Sequence, residues 1–186
     1  MKRSTLVSIG LCLTLIAAFL AGRASVRVPE RRLVHERPAH RDTVVPYWPV
    51  ETLDDRGVLR VMYAPERMQP EWVRLRGIYL PQPGEPMHDA AIASLAGMIE
   101  GSAVALDFGG DLVQRDESGR LFAYAWANTG GTDYCLNVEL VRLGMARYVP
   151  SESGTLDVEL EQAEQKARDA HRGIWGDEEA ARHGGG

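Results

Sequence analysis

The order of short runs along the chain constrains its fold more than any other feature. Strand-length and helix-length segments follow one another without the strand–helix–strand alternation that builds a parallel sheet. "VVPYWPVETLD" (Val44–Asp54), "GVLRVMY" (Gly57–Tyr63) and "EWVRLRGI" (Glu71–Ile78) read as strands. Pro46 and Pro49 make the first an expected edge strand. In the third, Trp72, Arg74 and Arg76 are expected on one face and Val73, Leu75 and Gly77 on the other. "AAIASLAGMIEG" changes period: Ile92, Leu95, Ala96 and Ile99 predict one helical face, stopped by Gly101. Two strands follow, "SAVALDFG" and "LFAYAWANTGGTDYCL", separated by the turn "GDLVQRDESGR"; the second enters a Gly130-Gly131 hairpin.

The last two segments are helical. "NVELVRLGMARYV" predicts a short helix with Asn137 as N-cap and a break at Gly144. In "TLDVELEQAEQKARDAHRGIWG", Leu156, Leu160, Ala163, Ala167 and Ala170 form a narrow apolar stripe, with Thr155 placed to cap it. Glu159, Glu161 and Glu164 are expected on a solvated face. Gly173 ends that helix, and Ile174 and Trp175 can fold back as a plug. Three strands, a helix, two strands and two helices predict a small antiparallel barrel with helical cover.

At 186 residues the chain holds one domain of ordinary size plus accessories. Residues 1–22 resemble an export signal or signal anchor: Lys2 and Arg3 precede an uncharged run from Leu6 to Gly22. The weak cleavage site at Gly22-Arg23-Ala24 favours an uncleaved membrane anchor over a removed signal. Residues 23–43 form an Arg/Pro-rich linker, residues 44–176 the globular domain, and 177–186 a Gly-ending tail. Six linker arginines favour a cytoplasmic domain by the positive-inside rule, whereas a secretory reading places it outside. The expected location is the cell envelope, membrane-anchored through residues 6–22 or secreted.

Residues 42–186 carry 13 basic and 24 acidic side chains, a formal charge of −11. A domain that grips a polynucleotide through its backbone ordinarily shows the opposite sign. The five histidines (35, 40, 88, 171 and 183) show no metal-binding spacing. Of two cysteines, Cys12 lies in the apolar leader, so Cys135 is expected as a small buried apolar residue.

"VRLRGIYLP", "DESGRLFAYAW", "LNVELVRLGMARYV" and "AEQKARDAHRGIW" occur in the order and spacing of the staphylococcal-nuclease-like (thermonuclease) family, and the chain resembles it over roughly residues 51–176. The resemblance implies an α+β fold: a five-stranded OB-fold β-barrel with three helices, here preceded by an N-terminal hydrophobic helix. It also implies calcium-dependent cleavage of phosphodiesters in DNA or RNA. Such chemistry needs hard oxygen ligands for the metal, a carboxylate beside the attacking water, and arginines for the phosphate.

The resemblance carries the two phosphate arginines to Arg74 and Arg120. It carries no acid. Where the family reads Gly-Ile-Asp-x-Pro-Glu, this chain reads Gly77-Ile78-Tyr79-Leu80-Pro81-Gln82, so Tyr79 stands at a metal-ligand position and Gln82 at the general-base position. The other metal position falls on Gly57 or its neighbour in Asp54-Asp55-Arg56-Gly57. Asp55 and Glu85 are the substitutes within reach. A glutamine takes no proton from water, and loss of a positioned base costs about 10²–10⁴ in rate.

The expectation is therefore a catalytically degenerate module without a cofactor, binding an anion, nucleic acid or a protein partner. The alternative is an active Ca²⁺-dependent nuclease with a rearranged metal site.

Overall fold

The computed structural model describes residues 46–63, 69–110, 113–150 and 154–176. The elements are β1 (Trp48–Leu53), β2 (Leu59–Val61), β3 (Glu71–Leu75), β4 (Ile78–Tyr79), α1 (His88–Ile99), β5 (Ala103–Asp107), β6 (Leu121–Thr129), β7 (Thr132–Cys135), α2 (Leu136–Arg142), β8 (Arg147–Tyr148) and α3 (Asp157–Asp169). The sheet runs β3-β2-β1-β5-β6-β7, and a parallel pairing of β3 with β6 closes five of these strands into a barrel. β7 lies outside the closure as the return arm of a hairpin. Its turn uses Gly130 and Gly131 at φ +61° and +83°, the conformation a two-residue hairpin loop favours.

Alternation fills the barrel. Leu59 and Val61 of β2, Val73 and Leu75 of β3, and Val104 of β5 are fully or almost fully buried. β6 departs from alternation and is buried continuously from Ala123 to Ala127, because α2 covers one face while the other lines the barrel. α3 packs on α2 through Leu160, Ala163 and Ala167. Gly144 and Gly173 meet where the two helices end, with the Ile174 amide donating to the Gly144 carbonyl at 3.0 Å. A Cβ on either glycine would lie 2.1 Å from a backbone oxygen, so this crossing requires both. Ile174 and Trp175 are buried beside it, as the expected plug.

Several sequence expectations are corrected. β1 is not an edge strand. Trp48 and Pro49 pair with β5, Val50 to Leu53 pair with β2, and a register shift falls between Val50 and Thr52. Pro49 thus sits at the end of one ladder, where its missing N–H is tolerated.

Arg76 does not share the outer face of Trp72 and Arg74. β3 stops at Leu75, Gly77 turns the chain at φ +70°, and Arg76 is buried, donating to the Phe108 carbonyl and to Gln114 Oε1. In α1, Leu95 and Ile99 are buried as expected and Ile92 is half-buried, but Ala96 is exposed and Ala91 completes the buried stripe instead.

Asn137 is no cap either. Cys135 holds that position, and Asn137 lies fully buried inside α2. α3 begins after Leu156 without a side-chain cap from Thr155, and Ala170 is exposed. Glu164 is mostly covered and accepts from the Tyr148 amide at 2.9 Å, tying β8 to α3. Cys135 is buried as expected, and burial pushes its thiol up to about 12.

The apolar run of residues 1–22, the linker, and the tail lie outside the described residues. Among the described residues no helix is long and apolar enough to cross a membrane.

Candidate functional site

A cavity of about 150 Å³ opens at one end of the barrel, where the β1–β2 turn, β3, the segment after β4, and the start of β6 converge. Arg56, Arg74 and Arg120 line it together with Gln82, above an apolar wall of Val58, Leu75, Ile78 and Leu80. The two arginines expected from the sequence thus share one site. Arg56 was not anticipated.

Each arginine is held by its element. Arg74 points outward from β3 by alternation, and its guanidinium carbon stands 5.9 Å from the ring centre of Phe122, its partner across the parallel pairing. Arg120 follows a tight turn built on Asp116. That carboxylate accepts from the amides of Ser118 (2.9 Å) and Arg120 (3.0 Å) and from Arg120 Nε (2.7 Å). Burial alone would raise the Asp116 carboxyl, but these donors and the arginine charge hold it below the usual range. Arg120 is thereby partly neutralised and fixed in direction.

Arg56 belongs to the turn before β2. Asp54 Oδ1 accepts from the Arg56 amide at 2.9 Å and from the Val58 amide at 2.8 Å. Among the described residues no carboxylate pairs with Arg56 or Arg74.

The positions where acids would be needed are filled otherwise. Gly57 stands at φ +77°, and a Cβ there would lie 2.4 Å from Leu80 Cδ1. The space any side chain at residue 57 would use is therefore occupied by leucine. Gln82 donates its amide back to the Leu80 carbonyl at 2.8 Å.

Tyr79 donates its hydroxyl to the Glu85 carboxylate at 2.8 Å; that bond, then burial, raise the phenol above 10, against the opposing charges of Arg147 and Arg74. Glu85 also accepts from the Gln82 amide at 2.8 Å, and first this bond and then the tyrosine hold it ionised. Glu85 lies outside the cavity lining, and so does Asp55, whose carbonyl accepts from His88 Nε2 at 2.6 Å. That contact, then Asp89, raises the imidazole above its ordinary value.

These residues do not fit a calcium ion. Calcium takes six to eight oxygens, with carboxylate charge among them. The lining offers three cations, a carboxamide already turned onto the backbone, and aliphatic carbon. Among the described residues no group of three or more His, Cys, Asp or Glu side chains is arranged to hold a metal.

Fold and cavity together define an OB barrel with an arginine-lined cavity. A family profile described as staphylococcal nuclease homologue matches residues 62–177, well over half of the chain. The chain belongs to that family. No curated protein matches it.

The matched span begins after the β1–β2 turn, so Arg56 lies where the motifs give no guidance. The only signal in the sequence is a basic residue directly before the glycine of that turn.

Proposed function

We propose that this chain is a catalytically degenerate staphylococcal-nuclease-like domain acting as an anion-binding module, held at the cell envelope by residues 6–22 or exported through them. The carrying observation is the composition of the cavity: three arginines and no acid, with Leu80 packed over Gly57. Guanidinium groups bind phosphate-like oxyanions in forked, charge-assisted hydrogen bonds and need no metal to do so. The missing base and metal ligands leave nothing to activate water.

The test is degradation of plasmid DNA and of RNA by the full chain with added Ca²⁺, beside Arg74→Ala and Arg120→Ala. No cleavage above the background of the two variants is expected. Calcium-dependent cleavage that either substitution abolishes would establish the alternative, a working nuclease with a rearranged metal site.

A further inference from the structure

Resting on the anion-pocket reading, we propose that Arg56 supplies the positive charge a metal ion would otherwise bring, so that the pocket binds a dianionic phosphomonoester group without any divalent cation. Three observations converge on this. Arg56 lines the same cavity as Arg74 and Arg120, and it sits beside Gly57, the position that carries no ligand side chain.

Its backbone is fixed. The Asp54 carboxylate binds the amides of Arg56 and Val58, and the Gly57 amide donates to the Asp54 carbonyl at 3.2 Å. The turn therefore fixes where the Arg56 side chain leaves the backbone. Its charge is also uncompensated by any described carboxylate, unlike Arg120 on Asp116 or Arg60 on Glu51.

The charge count selects the ligand. Arg120 is partly neutralised by Asp116, so most of the positive charge, about two, comes from Arg56 and Arg74. A phosphomonoester carries about −1.5 to −2 at pH 7 and matches them; a diester carries one charge and leaves a surplus. Size agrees. At about 150 Å³ the cavity is smaller than the roughly 300–1,000 Å³ of sites that enclose whole drug-sized ligands, so it takes a terminal group rather than a molecule. The apolar wall raises the worth of each charge contact and offers no oxygen for a cation.

Calorimetric titration of the full chain separates the possibilities, with phenyl phosphate and inorganic phosphate as monoester-type probes and methyl phenyl phosphate as the diester. Phenyl phosphate is expected to bind equally in EDTA and in millimolar Ca²⁺, and the diester about tenfold more weakly. Inorganic phosphate as tight as phenyl phosphate would show that the pocket reads the phosphoryl group alone. Arg56→Ala is expected to weaken binding about tenfold or more, as loss of one charge-assisted contact does, and Arg56→Lys to restore part of it. Arg60→Ala, outside the cavity, should change nothing.

Binding that requires Ca²⁺, or that survives Arg56→Ala while falling in Arg74→Ala, would overturn this inference and leave the anion pocket standing. No binding of any probe in either condition would remove both. Unchanged melting temperatures of the variants exclude misfolding as the cause.

Discussion

At residue 57 the backbone and a neighbouring leucine together leave no room for a side chain. Gly57 adopts φ +77°, and the methyl of Leu80 fills the space its Cβ would need. Placing a carboxylate there is consequently not a simple substitution. Gly57→Asp should destabilise the domain by roughly 2–5 kcal/mol, from a strained left-handed backbone (about 1–2 kcal/mol) and an overpacked leucine (about 1–3 kcal/mol). The packing part depends on Leu80, so the cost of Gly57→Asp should shrink by about 1 kcal/mol or more in a Leu80→Ala background, a coupling that urea denaturation of the four-member cycle measures. Equal costs in both backgrounds would mean that Leu80 does not guard this position.

The same residues show what the sequence could reveal. Arg74 and Arg120 are legible because each sits inside a motif whose spacing places it. Gly57, Tyr79 and Gln82 are legible as absences of acid, but nothing in their order says that Leu80 closes the gap. Arg56 is illegible for a physical reason. Strand alternation tells where Arg74 points, whereas a turn residue has no period from which a direction can be read.

At the scale of elements, the barrel and its helical cover are held together by a group that pattern reasoning misplaced. Asn137 resembles an N-cap, being a favoured capping type at the start of an apolar-periodic run. In the fold it stands one position inside α2, because Cys135 ends β7 and the helix begins at once. Its Oδ1 accepts from the Ala125 amide of β6 at 3.0 Å, and its Nδ2 donates to the Arg76 carbonyl at 2.8 Å. One side chain therefore joins α2, the central strand and the turn after β3, which carries the chain from Arg74 towards Tyr79. Hydrophobic periodicity cannot show such a role, since it concerns the pairing of buried backbone groups and not their polarity.

Asn137→Ala takes the acceptor from the buried Ala125 amide, at about 1–3 kcal/mol, and removes the hydrogen bond to the Arg76 carbonyl, at about 0.5–1.5 kcal/mol. A loss of roughly 1.5–4.5 kcal/mol in chemical denaturation is expected, against about 0.5–2 kcal/mol for a lost surface cap. A cost below about 1 kcal/mol would return Asn137 to a capping role. Arg76 was misassigned by the same limit: alternation continues on paper through Gly77, while the chain has already turned.

At the scale of the whole molecule, the sign of the charge decides how far from the pocket a ligand can be held. Residues 42–186 sum to −11, yet three of their thirteen cations gather in one cavity. Outside it, Arg60, Arg115, Arg142 and Arg168 each face a glutamate. A polyanion would find one good seat and then a repelling field.

The salt dependence of binding reads this directly. Each phosphate neutralised on a single strand contributes about −0.7 to the slope of log K against log salt, so a protein that tracks six to ten phosphates shows a steep dependence. Here 5′-phosphorylated single strands should bind with an Arg74-dependent slope of about −1, and lengthening the strand from two to twenty nucleotides should bring no gain in that component. Anisotropy titrations of the full chain beside Arg74→Ala isolate it, because contacts made by the linker arginines persist in the variant. An Arg74-dependent affinity that climbs steadily with length, with a slope of about −4 or steeper, would instead mean that the acidic surface conceals a path for a nucleic acid backbone.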